Sequence, residues 1–319
     1  MNRCLHLLIV IATVCTFVLI CSGGLVTSKS AGMSVPDWPT TYGYNMFLFP
    51  ISRWTGGILY EHTHRLFASA VGLLTLLLTA CVLAVERRRW VRVMAILACV
   101  SVIFQGILGG LRVTLNANLM GIFHGTVAQS FLSLLGILAV VTSASFLSGE
   151  YTSFCIFKEL KWVAMIVTGV IFTQLMVAAS MRHAHTGLSI PDFPTAYGRW
   201  WPPLDSVSIA QINDLRALQG QAATSATQIA LQMVHRALAT LTFAGVVAFA
   251  WLARYTYPIN RWGKVWALLV AIQIGLGMWT IWSNKAADVA TAHVSVGALA
   301  FFLGVQLTFR LFCAHDSSP

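Results

Sequence analysis

The chain has 319 residues, 57% of them hydrophobic and only 9% charged. Soluble globular domains carry roughly 25% charged residues, so this composition excludes a soluble domain and points to a membrane protein. The formal net charge of +10 does not indicate a nucleic-acid binder, because the basic residues are scattered between apolar runs and form no stripe; loops flanking membrane spans account for them better.

A membrane-crossing helix needs about 20 apolar residues. Eight segments qualify: Leu7–Val26, Leu66–Val85, Val93–Leu111, Ile122–Ser148, Trp162–Met181, Ala237–Ala253, Val265–Trp282 and Ala290–Phe309. The second and sixth are expected to begin a turn earlier. The first run reads as a span rather than a signal peptide, since its apolar stretch is long, its flank holds only Arg3, and no small-residue cleavage site follows. Lysine and arginine in short loops set the orientation. "ERRRWVR" (Glu86–Arg92), Lys158 with Lys161, and Arg254 with Arg261 and Lys264 share one side with both termini. That side is predicted to be cytoplasmic, in a multi-pass protein of the cell membrane. The long loops Thr27–Tyr60 and Arg182–Gln228 then face outward. The seven cysteines (Cys4, Cys15, Cys21, Cys81, Cys99, Cys155, Cys313) lie outside both long loops and read as small buried hydrophobes.

The stretch "SAGMSVPDWPTTYG" (Ser30–Gly43) returns as "HTGLSIPDFPTAYG" (His185–Gly198), with eight of fourteen positions identical. One copy follows span one and the other span five, so the spans divide four plus four in the same orientation. The expected fold is an all-α integral membrane protein of two tandem, pseudo-symmetric four-helix bundles, residues 1–150 and 151–319. Proline and glycine suit a rigid loop at the membrane surface, with Trp38 and Phe193 at the interface. Asp37 and Asp192, common to both copies, suit helix capping or loop bracing.

Four of the nine histidines take matched places. His64 and His235 open spans two and six within "EHTHRLFA" and "LQMVHRALA"; His124 and His293 open spans four and eight within "GIFHGTVAQ" and "ATAHVSVGA". Spans two and four start on one side of the membrane, so each pair can face across its bundle near the outer face. One imidazole from each side of an apolar core suits a haem iron with two axial ligands. A closed zinc site needs more protein ligands than each half has; copper stays open, though apolar walls suit a porphyrin better. Arg65 and Arg236, directly after two of these histidines, can pair with haem propionates or snorkel to lipid headgroups. His62, His183 and His185 are expected to be solvated or interfacial, with His62 an added proton carrier. His6 and His315 are terminal. "QGILGGL" (Gln105–Leu111) and "QIGLGMW" (Gln273–Trp279) also repeat, and their glycines permit close approach of a helix or cofactor.

The halves differ at one telling place. Glu61 lies three residues before His64, whereas Gln232 holds the position before His235. A carboxylate beside a proposed haem ligand is costly in a membrane and suggests function. The competing account is a pair with Arg65 or Arg53. The asymmetry predicts chemistry in the first half and a haem that carries electrons in the second.

Taken together, "GGLVTSKSAGMSVPDWP", "EHTHR", "GIFHGT", "HTGLSIPDFP", "VHRALA" and "TAHVSVGAL", in this order around eight spans, resemble the haem A synthase family, the Cox15/CtaA-type membrane proteins. The resemblance covers essentially the whole chain. It implies oxidation of the C8 methyl of haem O to a formyl group through hydroxylated intermediates, with iron cofactors and an external electron acceptor doing the difficult chemistry. It implies that His64 and His124 flank substrate haem O, that Glu61 is the essential carboxylate, and that His235 and His293 ligate a haem b. It implies partners in haem O synthase and terminal oxidase assembly; lipid surrounds the spans, and a homo-oligomer is compatible with the chain. The alternatives are a diheme b-type electron-transfer protein, or a haem carrier or oxidase assembly factor that modifies nothing. Many bacterial members carry a cysteine pair in the first external loop. Neither long loop here has a cysteine, so a thiol relay or disulfide brace there is closed to this chain.

Overall fold

The computed structural model describes residues 3–149 and 158–314. The expected boundary between the halves at 150/151, Cys155 and His315 lie outside the described residues. Among the described residues there is no strand, only the isolated bridges Thr41–Tyr44 and Ala196–Arg199. Eight helices there are long and apolar enough to cross a membrane: α1 (Arg3–Ser28), α2 (Gly56–Val85), α3 (Arg89–Thr114), α4 (Asn118–Val141), α6 (Lys158–His183), α8 (Ala226–Leu252), α9 (Ile259–Trp282) and α10 (Ala287–Cys313). The chain is thus an all-α, multi-pass membrane protein. At ~1.5 Å per residue even a 24-residue helix such as α4 is about 36 Å long, enough for a hydrocarbon layer of ~30 Å. Two short helices, α5 (Ala144–Leu147) and α7 (Ser206–Leu218), lie between them.

Three boundaries depart from the hydropathy reading. α2 and α8 begin at Gly56 and Ala226, well over a turn before the apolar runs that open at Leu66 and Ala237. Hydropathy marks the lipid-facing stretch and not the helix. The polar second turns stay helical because the long loops cover them: Glu61 and His62 of α2 and Gln232 of α8 are all buried. α8 also opens with a capping box, Ser225 and Gln228 each satisfying the other's backbone. Span four ends at Val141 and not Ser148, because the Ser143 hydroxyl accepts the Phe146 N–H and starts α5. Helix α7, started by the Asp205 carboxylate accepting the Ser208 N–H, went unforeseen in the second loop.

Among the first four long helices, α1 packs on α2 and α4, and α3 on α2 and α4. Among the last four, α6 packs on α8 and α10, and α9 on α8 and α10. Each set has its own apolar core, around Leu78, Leu135 and Leu138 in one and Phe249, Trp266 and Leu307 in the other. The seam between the sets runs along α1, α4, α6 and α10. Lipid tails give no hydrophobic drive between helices, so small residues and hydrogen bonds must hold such a seam. Gly24 lets α1 meet Thr291 and Val294 of α10, and Gly136 of α4 lies directly under Phe302 and Gln306. The Gln306 amide donates to the Ser133 carbonyl at 3.1 Å.

Candidate functional site

The repeated loops are repeated down to their backbone. Ser30 and His185 leave α1 and α6 with φ of 54° each, and Gly43 and Gly198 close the motif at φ 76° and 74°. The Asp37 carboxylate accepts the N–H groups of Tyr42 (2.7 Å) and Gly43 (2.8 Å) and the Thr40 hydroxyl (2.5 Å). Asp192 accepts the matching groups of Tyr197, Gly198 and Thr195 at 2.7, 3.0 and 2.7 Å. The hydroxyls of Tyr42 and Tyr197 donate to the carbonyls of Ser34 and Ser189. Both aspartates therefore brace loops. Partial burial, the largest single influence, disfavours their charge, but the converging donors outweigh it and hold both carboxyls below the ordinary aspartate range. Because the folded value is depressed, this stabilisation is present above the unfolded value and lost as pH falls through the folded one. Asp37→Ala should cost about 2–4 kcal/mol at neutral pH. Thermal unfolding in detergent should show that deficit shrinking as the medium is acidified; a deficit constant with pH would contradict the account.

The arginines after the span-opening histidines serve these loops. Arg65 donates to the carbonyls of Asp37 (2.6 Å), Thr40 (3.2 Å) and Val35 (2.8 Å), and to Glu61 Oε1 (2.7 Å). Arg236 donates to the carbonyls of Asp192 (2.6 Å) and Thr195 (2.8 Å). In this structure both arginines clamp each loop to its helix. Glu61 and Gln232 complete the clamp. Glu61 Oε2 accepts the Val35 N–H at 2.9 Å, and Gln232 Oε1 accepts the N–H of Ile190, the matched residue, at 2.8 Å. The two side chains are 4% and 2% exposed. The pair of Glu61 with Arg65, weighed above as the competing account, is real, and the halves share one brace with a charge in only one of them.

The other histidines divide. His62 is not solvated: it is fully buried, its ring against Trp54 and Phe49 and its Nδ1 3.2 Å from the Thr41 hydroxyl. His183 lies directly over Gly121 of α4 and is only partly accessible, while His185 is exposed. His6 meets the Thr142 hydroxyl at 3.1 Å, near the end of the protein away from the long loops.

The four matched histidines point inward from the loop-bearing end. In the second set of helices the His235 and His293 ring centres are 6.5 Å apart, with their planes at 67°. His293 Nδ1 is 3.0 Å from the Gln273 carbonyl, which orients the ring, and its Nε2 is 3.4 Å from the Gln273 amide nitrogen, as His235 Nε2 is 3.5 Å from that of Gln174. Gln174 of α6 donates to the His235 carbonyl at 3.0 Å. In the first set, His64 Nδ1 lies 3.2 Å from the Ser22 hydroxyl of α1. Glycines on facing helices make room for three of the rings. A Cβ at Gly23, Gly109 or Gly277 would stand 3.0, 3.3 or 3.1 Å from Cε1 of His64, His124 or His293. Gly109 and Gly277 belong to the second repeated motif, so its glycines serve the histidines. The anchoring by Gln273 and Ser22 went unforeseen, although the shared glutamine of "QGILGGL" and "QIGLGMW" was a signal for the first.

The comparisons with known proteins bear on this arrangement. A sequence model of the COX15-CtaA family, described as cytochrome oxidase assembly protein, matches residues 44–305. The chain belongs to this family. It is similar to the heme A synthase of Bacillus licheniformis, 26% identical over 97% of this chain and 98% of the relative. The heme A synthases of Halalkalibacterium halodurans (24%, over 94% and 95%) and Lysinibacillus sphaericus (25%, over 95% and 93%) match similarly.

A haem-related function therefore has to be tested against the residues present. Two imidazoles sharing one metal, at about 2.0–2.1 Å per metal–nitrogen bond and roughly 1.1 Å from nitrogen to ring centre, stand about 6.3 Å apart. His235 and His293 fit that spacing. Buried polar atoms without a hydrogen-bond partner also collect here, at Nδ1 of His124 and His235 and at the side-chain oxygens of Gln105, Gln174 and Gln273. Among the described residues no three His, Cys, Asp or Glu side chains converge as a protein-only metal site would need. A porphyrin, which brings four nitrogens of its own, is the centre that two histidines complete.

Proposed function

We propose that this chain is a haem A synthase, a membrane oxidoreductase that converts the C8 methyl of haem O to a formyl group. The observation that carries the reading is the pair of histidines per half, matched in sequence, with the matched glycines Gly109 and Gly277 against His124 and His293, in a chain of the COX15-CtaA family. In this reading residues 1–150 hold substrate haem O between His64 and His124, and residues 151–319 hold haem b between His235 and His293. The long-loop end, with both haem sites, faces outward, and both termini lie in the cytoplasm of a cell whose membrane also carries haem O synthase and oxidase assembly partners. When bound, the haem irons supply the redox chemistry that no side chain can. The chain supplies orientation: Ser22 and the Gln273 carbonyl fix imidazoles, and the glycines let the rings approach. The loop clamped by Glu61 and Arg65 closes the loop-bearing end against water, and Glu61, ion-paired with Arg65, is the carboxyl group placed there to stabilise positive charge developing on the substrate.

The shared brace of Glu61 and Gln232 also favours a second reading, a diheme electron carrier that modifies nothing, since it gives Glu61 a purpose without catalysis. Haem extraction and chromatography from membranes of a host that makes haem O separates the two. Haem A, or its hydroxylated precursor, is expected only when this chain is expressed. Bound haem b with no new haem species, under adequate oxidant supply, would leave the electron carrier.

A further inference from the structure

A haem is a dicarboxylate, and its propionates need cations or water wherever the macrocycle enters an apolar bundle. The arginines that sequence position suggests for this already hold other groups: Arg65 on loop carbonyls and Glu61, Arg236 on loop carbonyls through both Nη atoms, with only its Nε unpaired, and Arg182 on the Gly24 carbonyl and the Ser28 hydroxyl. Two other cations stand at matched places. The Arg112 guanidinium, in the last turn of α3, lies over Gly32, where a Cβ would be 2.9 Å from its Nη2. Lys285, just past the end of α9, lies over Gly187, where a Cβ would be 3.5 Å from its Cδ and 4.0 Å from its Nζ. Gly32 and Gly187 are the same position in the two repeated loops. Among the described residues neither cation makes a side-chain hydrogen bond or salt bridge. Arg112 is within electrostatic reach of His64 and His124. It also feels Glu61, but both oxygens of that carboxylate are already engaged by Val35 and Arg65.

We propose that Arg112 in the first half and Lys285 in the second receive the haem propionates, each laid across a loop glycine that leaves room for it. The proposal rests on the haem-binding reading above. Its logic is that each half repeats the same device, a cation without a partner at the end of its third long helix beside a residue with no side chain, while the arginines next to the histidines hold the loops.

The test uses full-length apoprotein in detergent, titrated with protohaem and with protohaem dimethyl ester, which keeps the iron and ring but has no carboxylates. Wild type should bind the free acid about tenfold or more tighter than the diester. Arg112→Gln should erase that preference at one site and Lys285→Gln at the other, with diester affinity unchanged, which also shows the variants are folded. Arg112→Lys should keep most of the preference. Equal affinity of wild type for both compounds would overturn the proposal, as would a preference that survives Arg112→Gln and Lys285→Gln, or a loss of both compounds alike in the variants. Wild type that bound neither compound would instead sink the haem-binding reading beneath it.

Discussion

Replacing His293 with alanine is expected to remove one of two haems per chain and abolish a bis-imidazole low-spin optical spectrum from the second half. His293 has its Nδ1 at the Gln273 carbonyl and its ring 6.5 Å from that of His235, the spacing that a shared metal needs. Losing a ligand outright should cost more than the 10- to 100-fold typical of removing a partner that merely orients one. Gly277→Ala should give a milder version, because its Cβ would press on the ring at 3.1 Å without removing the nitrogen. Haem content by pyridine haemochromogen, together with the optical spectrum, measures both. An unchanged haem ratio and spectrum in His293→Ala would end the axial-ligand assignment.

The sequence exposed the membrane architecture because eight apolar runs and a fourteen-residue repeat are periodic signals that survive without tertiary context. It misjudged where α2 and α8 start, because the polar turn around Glu61 and His62 is buried under the loop that leads into α2. The matched spacing of the histidines was legible, and the fold brings the His235 and His293 rings to 6.5 Å. The duty of Arg65 and Arg236 was not, since a guanidinium beside a proposed ligand looks the same whether it faces a propionate or the carbonyls of Asp37 and Asp192. Arg112 and Lys285 share no sequence motif; only folding places both over the loop glycines. The same holds for His62, whose cage of Phe49 and Trp54 is assembled from a segment that hydropathy reads as solvent-exposed.

The second large effect concerns Glu61, and the other half of the protein supplies the control. Glu61→Gln should leave the fold and haem content intact, because Gln232 already performs the same backbone contact, accepting the Ile190 N–H at 2.8 Å. Arg65 would lose one partner but keep the carbonyls of Val35, Asp37 and Thr40, much as Arg236 holds its loop with carbonyls alone. The substitution therefore removes a charge and little else. If that charge serves the oxidation, formation of the haem A formyl group should fall by about 10²- to 10⁴-fold, the span typical of a positioned acid–base or electrostatic group. Gln232→Glu should leave product formation unchanged, since it adds the charge beside the histidines assigned to the electron-carrying haem. Full turnover in Glu61→Gln with normal haem content would reduce Glu61 to a loop brace and move the explanation for the difference between the halves to Arg112, a cation that the second half replaces with the exposed Lys285.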